Sequence, residues 1–134
     1  MDRKLRWVRR LQRYLVNPPM KAITWLGLVP GQVLVETTGR RSGRRRRNVV
    51  GMHVEGDTGW VVAEHGRSAG YVNNIEARPD VRVRRSRRWM PARAEVVPDD
   101  DTAARLETFG RPSHASMVRR MGTDLLTLRF DLDP

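Results

Sequence analysis

Gln32-Val33-Leu34-Val35-Glu36-Thr37-Thr38-Gly39-Arg40-Arg41-Ser42-Gly43-Arg44-Arg45-Arg46-Arg47-Asn48-Val49-Val50 sets a two-glycine turn carrying six arginines between two strand-like runs. The first run is Val33-Leu34-Val35-Glu36 and the second Val49-Val50-Gly51-Met52-His53-Val54. Both are rich in the β-branched residues that suit a pleated surface. A turn fixed by flanking strands can hold backbone N–H groups and guanidinium forks in place. Arginine grips phosphate or carboxylate with two parallel hydrogen bonds, so this turn suits a polyanionic ligand. The same residues also fit a solvated hairpin tip in an arginine-rich protein. The segment alone leaves both readings open.

Working outward, Gln32 to Thr38 reads as a strand, and a second runs from about Arg46 to Glu55. The turn cluster Glu55-Gly56-Asp57-Thr58-Gly59 leads into a third, Trp60-Val61-Val62-Ala63-Glu64. His65-Gly66-Arg67-Ser68-Ala69-Gly70 is a loop opening a short helix, Tyr71 to Ala77, which Arg78-Pro79-Asp80 ends. Val81-Arg82-Val83-Arg84 alternates apolar and basic residues as a half-exposed strand does. Ser86-Arg87-Arg88 turns tightly into Trp89 to Val97, where Pro91 points to an edge strand or a bulge. Asp99, Asp100 and Asp101 place acids at a helix start, where carboxylates cap N–H groups. Helices then cover Ala103 to Phe109 and Ser113 to Met121, and Asp124 to Leu132 is a last strand with Leu126, Leu128 and Phe130 on one face.

Upstream, Leu5, Val8, Leu11 and Leu15 form the apolar stripe of an N-terminal amphipathic helix, with Arg3, Arg6, Arg9, Arg10 and Arg13 around the rest. Asn17-Pro18-Pro19 stops it, and Met20 to Leu26 follows as a short helix or turn. Such a helix docks on a core or, in a second reading, touches an anionic membrane surface. Six strands at hairpin spacing with a few helices predict a mainly β, α+β fold: a small antiparallel barrel over residues 1–134, one domain.

The composition narrows the chemistry. Cysteine is absent, which excludes disulfides and thiolate catalysis, and His53, His65 and His114 lack metal-ligand spacing, so no metal site is expected. A net charge of +11 calls for an anionic partner. Lys4 and Lys21 are the lysines, however, and the other 24 of the 26 basic residues are arginines, a skew that genome composition alone can produce. No helix-turn-helix, zinc or RNA-recognition signature is present, and aromatic residues at 6% offer few stacking platforms, so nucleic acid is not the expected partner. No apolar run reaches the ~20 residues of a membrane span. Arg9-Arg10 is followed by Leu11-Gln12-Arg13-Tyr14 and not by the apolar core of a signal peptide, so a cytoplasmic location is expected.

Leu34 to Gly43, the later pair Arg46-Arg47, the Val62-Ala63-Glu64-His65-Gly66 loop and the stretch Tyr71 to Val83 occur in that order. The ordered set, spanning about Val33 to Val97, resembles the deazaflavin-dependent nitroreductases of actinobacteria, also described as quinone-reductase-like split-barrel proteins. The resemblance implies a split β-barrel of the FMN-binding type that binds reduced 8-hydroxy-5-deazaflavin (the F-420 coenzyme), with flavin mononucleotide as the alternative. That coenzyme carries a phosphate and an oligoglutamate tail, a charge match for the arginine turn. By position the resemblance puts Arg40, Arg41 and Arg46 on the tail and phosphate, Ser42 and Gly43 in the turn, and Asn48 in the next strand. It puts His65 and Gly66 in the loop approaching the coenzyme, Tyr71 where many members have tryptophan, and Asn74 on the asparagine that follows. Glu64 departs from a serine common among relatives, and Gly51 from a bulky aromatic of the substrate pocket.

The implied reaction is hydride transfer to a quinone, nitro compound or similar conjugated acceptor, a small molecule, by a monomer or homodimer. The coenzyme carries that chemistry, and the protein supplies placement and electrostatics. His65 and Tyr71 are candidate proton donors beside solvent. The rival class is a carrier that binds deazaflavin or an apolar ligand without turnover. Each residue also has a structural reading: His65 as a polar loop residue, Tyr71 as a core ring, Asn74 as a bridge between backbone groups, Trp60 and Trp89 as barrel core. Arg44, Arg45 and Arg47 read as solvated, and Arg82, Arg84, Arg85, Arg87 and Arg88 as an exposed basic face.

Overall fold

The computed structural model describes residues 17–27, 31–111, 115–116, 118–119, 122 and 124–134. The N-terminal amphipathic helix expected over residues 3–15, His114 and parts of the helix expected from Ser113 to Met121 lie outside the described residues. The first described element is α1, Asn17–Trp25. Asn17, Pro18 and Pro19 form its first residues, so the short element expected from Met20 to Leu26 begins three residues earlier. The first turn has no intrahelical partner for its N–H groups, so proline costs little there.

Seven strands follow in one antiparallel sheet: β1 Gln32–Thr38, β2 Arg45–Gly51, β3 His53–Glu55, β4 Thr58–Ala63, β5 Asp80–Arg85, β6 Arg88–Val97 and β7 Leu126–Leu132. Helix α2, Gly70–Ala77, sits between β4 and β5, and α3, Thr102–Thr108, between β6 and β7. The strand order is β2-β1-β5-β6-β7-β4-β3. β2 and β3 stand at opposite edges, yet Met52 alone separates them in the chain. A flat sheet cannot meet that condition, so the sheet curls until its edges meet. This is a half-barrel split along the β2 side. The expected strand from Arg46 to Glu55 is therefore two strands, and the expected six become seven. β2 pairs with β1 through Gln32↔Gly51 to Thr38↔Arg45, and β3 pairs with β4 through His53↔Trp60. At the break, Met52 N–H donates to the Gly31 carbonyl at 2.9 Å.

Alternation fills the interior. Val33 and Val35, Val81 and Val83, Met90, Ala92 and Ala94, and Leu126, Leu128 and Phe130 form one buried cluster, into which α2 packs Val72 and Ile75. A second cluster joins Val62 to Leu106, Phe109, Ala115 and Val118, with Trp60 and Leu125 at its edge. α3 is fixed by Asp101, whose carboxylate caps it by accepting from Ala104 N–H at 3.1 Å. Asp100 holds Arg105 through two hydrogen bonds of 3.0 and 3.1 Å and accepts from the Thr127 hydroxyl at 2.9 Å.

Pro91 corrects the edge-or-bulge expectation. It lies in β6, an interior strand, opposite Arg82 of β5. Its carbonyl accepts from Asp133 N–H at 2.9 Å, so its nitrogen faces the same side, past the last pair Ala92↔Leu132. The missing N–H falls where the ladder to β7 has ended. Trp89 also departs from expectation: it is half-buried on the outer face of β6, edge-on to Trp25 with centroids 5.8 Å apart. Trp60 lies against the second cluster, with the Arg105 guanidinium 3.6 Å from its ring centre.

Candidate functional site

The arginine turn is locally determined. Gly39 N–H donates to the Arg44 carbonyl at 2.7 Å and Gly43 N–H to the Gly39 carbonyl at 2.9 Å. Ser42 Oγ accepts from Arg44 N–H at 3.2 Å, and Gly43 has a φ of +69°, a left-handed conformation that favours glycine. The turn is tied to α2 by Asn74, whose side chain is buried. Asn74 Oδ1 accepts from Arg40 N–H at 3.1 Å and from Arg40 Nη1 at 3.5 Å, and its Nδ2 donates to Thr37 Oγ1 at 3.1 Å. Asn74 is thus the bridge between β1, the turn and α2.

Beside the turn lies an open cavity of about 870 Å³. Arg40, Arg41, Ser42, Arg46, Asn48, Tyr71 and Asn74, all picked out in the sequence, line it. Lys21 of α1, Arg45 and Arg47 line it too, and sequence reasoning passed over these three. Arg47 had read as solvated. It donates instead from Nε to Glu36 Oε2 at 2.9 Å, and its guanidinium stands 5.4 Å from the Trp25 ring centre and 5.1 Å from that of Trp89. Arg45 approaches the same carboxylate at 3.8 Å.

Glu36 organises this wall. Its neighbours across the sheet are Arg47 of β2 on one side and Arg82 of β5 on the other. Arg82 donates to both carboxylate oxygens, at 2.9 and 3.0 Å, and stacks 4.7 Å from the Trp89 ring centre. Arg84 donates to the Trp25 carbonyl at 3.1 Å and lies 3.7 Å from that ring centre. The expected basic face is therefore real at Arg85, Arg87 and Arg88, which are exposed, but Arg82 and Arg84 are engaged. Burial alone would raise the Glu36 pKa, but the hydrogen bonds from Arg47 and Arg82 more than reverse this and hold it below the ordinary carboxylate value.

A second cavity, of about 260 Å³, lies next to the first and shares Tyr71 with it. Gln32, Val49, Val50, Gly51, Val61, Val62, Glu64, His65 and Ala69 complete its wall. Tyr71 is half-buried; burial, reinforced by the Glu64 carboxylate, pushes its phenol pKa well up, so it stays protonated. Gly66 lines neither cavity. It is buried with a φ of +50°, and an added Cβ would stand 2.5 Å from an Asp124 carboxylate oxygen, so the described contacts make it a packing glycine. Among the described residues no group of three or more His, Cys, Asp or Glu side chains could hold a metal, and no helix is long and apolar enough to cross a membrane.

The larger cavity offers guanidinium forks, a serine-stabilised turn and amide groups along one wall. That donor set fits a long ligand bearing phosphate and carboxylates. Solved structures sharing the fold include an F420-H2 dependent reductase, FDR-A, at 19% identity and a TM-score of 0.58, covering 78% of this chain and 95% of that one. A putative pyridoxamine 5'-phosphate oxidase from Listeria innocua matches at 11% identity and a TM-score of 0.58, covering 86% and 93% of the two chains. The heme storage protein HutZ of Vibrio cholerae matches at 15% identity and a TM-score of 0.53, covering 89% and 91%. These likenesses establish the split-barrel fold. No curated protein sequence matches the chain. The family model of the F420H2-dependent quinone reductases matches residues 7–133, so the chain belongs to that family and coenzyme F420 is its cofactor.

Proposed function

We propose that this chain reduces a quinone, nitro compound or similar conjugated small molecule with hydride from reduced coenzyme F420. The observation that carries the reading is the pair of adjoining cavities: one wide and cationic, one small with valines of β2 and β4 beside a few polar groups, and Tyr71 in the wall of both. Arg40, Arg41 and Arg46, with Lys21, Arg45 and Arg47 beside them, hold the phosphate and acidic tail. Ser42 and Gly43 fix the turn, Asn74 anchors it, and Asn48 lines its floor. When bound, the reduced coenzyme supplies two electrons and a proton together as hydride.

The acceptor takes the smaller cavity, between the apolar side chains of β2 and β4. It gains the hydride and one further proton, so a quinone leaves as its hydroquinone. Tyr71 keeps its proton at neutral pH and can donate a hydrogen bond to the oxygen on which negative charge develops. His65 is exposed at the rim of the same cavity.

The test has two arms. Purified protein is titrated with the deazaflavin coenzyme, with flavin mononucleotide as control. Oxidation of the reduced coenzyme is then followed with quinones and nitroaromatics. Selective deazaflavin binding with steady turnover is the expected result. Tight binding without turnover by any acceptor would make the protein a carrier, and preference for flavin mononucleotide would replace the cofactor.

A further inference from the structure

We infer that Glu64 selects the acceptor by charge: the small cavity favours conjugated acceptors that bear a positive charge or a hydrogen-bond donor, and rejects anionic ones. The inference rests on the reading of that cavity as the acceptor site. Glu64 follows the last residue of β4 and is half-buried in the cavity wall, beside Val61 and Val62.

Among the described residues several acids meet a base, as Glu36 does with Arg47 and Arg82, Glu76 with Arg67, Glu95 with Arg129 and Asp100 with Arg105. None of the ion pairs among the described residues includes Glu64. Asp57, Asp99, Asp101, Asp124 and Asp133 are in none of these ion pairs either, but none of them lines a cavity of the site, whereas Glu64 is the one acid among the described residues in the walls of the two. The fold uses the backbone of this residue, since its carbonyl accepts from Asp124 N–H at 3.1 Å. The side chain is therefore available to a ligand.

Charge is sorted between the two cavities. Lys21 and five arginines line the large one, whereas Glu64 supplies the carboxylate of the small one. A polyanionic tail is drawn to the first and repelled from the second. Glu64 thus keeps the acceptor site clear of the coenzyme's own carboxylates and of any anionic acceptor. A unit charge seated about 5 Å from a half-screened carboxylate changes affinity by roughly tenfold in the direction of its sign.

The probes are benzoquinones of matched size carrying a methyl, a trimethylammonium or a sulfonate group. Phenyltrimethylammonium and benzenesulfonate are redox-inert partners for equilibrium binding by calorimetry. Wild type, Glu64→Gln and Glu64→Asp are compared at one fixed pH of 8. In Glu64→Gln, kcat/KM measured relative to the neutral quinone is expected to fall about tenfold for the cationic quinone and rise about tenfold for the sulfonate. Glu64→Asp should retain the wild-type order, and the inert ligands should follow the same pattern. An identical cation-to-anion ratio in wild type and Glu64→Gln, in either readout, overturns the proposal. Failure of the wild type to reduce any quinone, with charge-selective binding of the inert ligands preserved, would count against hydride transfer and not against the role of Glu64.

Discussion

Replacing Glu36 by glutamine keeps the size and one carbonyl acceptor of the side chain but removes the charge that three arginines surround. In the folded protein the Glu36 side chain is 5% exposed and takes hydrogen bonds from Arg47 Nε at 2.9 Å and from Arg82 Nε and Nη2 at 2.9 and 3.0 Å. Removing one partner of a fully buried ion pair costs about 3–5 kcal/mol. Here the arginines are 44% and 40% exposed, so water takes up part of their charge when the carboxylate is lost. The amide oxygen also retains part of the hydrogen bonding. The expected loss is thus about 2 kcal/mol, which in a domain of this size lowers Tm by roughly 8 °C.

The pH dependence gives the sharper check. The folded pKa of Glu36 lies below its unfolded value, so the stability from its ionised form is fully present above the unfolded pKa, about 4.3, and is lost as pH falls through the folded value. Urea unfolding of wild type and Glu36→Gln, followed by circular dichroism from pH 8 to pH 3, should show a constant gap down to about pH 5 that narrows below about pH 4. A gap under about 0.5 kcal/mol at pH 7, typical of exposed pairs, would refute the cluster as a buried anchor. An undiminished gap at pH 3 would refute the ionised state of Glu36.

Three further outcomes follow from the same geometry. Arg40, Arg41 and Arg46 changed together to alanine should weaken coenzyme binding roughly a hundredfold, at about 1 kcal/mol per lost charged contact, with Tm within about 3 °C of wild type; unchanged affinity in a calorimetric titration would place the tail elsewhere. Asn74→Ala removes the acceptor of Arg40 N–H and the donor to Thr37, and should cost about 2 kcal/mol in urea unfolding. Tyr71→Phe should lower kcat about tenfold or more with KM little changed, and the wild-type rate should show no limb from Tyr71 between about pH 6 and 9 because its pKa is raised; an equal kcat in Tyr71→Phe would remove the phenol from the reaction.

The strands were legible because alternation is local: Val81-Arg82-Val83-Arg84 reports its two faces within four residues. The break at Met52 was not, since Arg46 to Glu55 reads as one β run and only pairing to β1 at one end and β4 at the other divides it. Pro18-Pro19 hid the start of α1, expected at Met20 and found at Asn17: proline is tolerated in the first turn of a helix and forbidden in its interior. The site was half legible. Arg40, Arg41 and Arg46 could be named from the turn, but nothing local separates Arg44 from Arg47. The distinguishing signal is Glu36, the lone acid within Val33-Leu34-Val35-Glu36-Thr37-Thr38; a hairpin closing at Thr38 and Arg45 sets Arg47 opposite it.

The same closure explains where the acceptor cavity lies. At Met52 the chain leaves the β1 edge and rejoins the sheet beside β4, so β2 and β4 face one another without a ladder between them. A seam without hydrogen bonds is the one place in a curled sheet where side chains can part without breaking backbone pairs. The small cavity sits there, with Val49, Val50 and Gly51 on one side and Val61 and Val62 on the other. Met52 itself packs inward against β4, where an added Cβ on Gly59 would meet its sulfur at 2.5 Å. The seam is thus pinned at Met52 and left open above it. Gly51, the last residue of β2, adds no side chain to that opening. Filling it, as in Gly51→Phe, should close the cavity to acceptors while leaving the arginine turn and its affinity for the coenzyme as they were. Loss of coenzyme binding in that variant would mean that the two cavities are one site, and that the seam serves the coenzyme and not the acceptor.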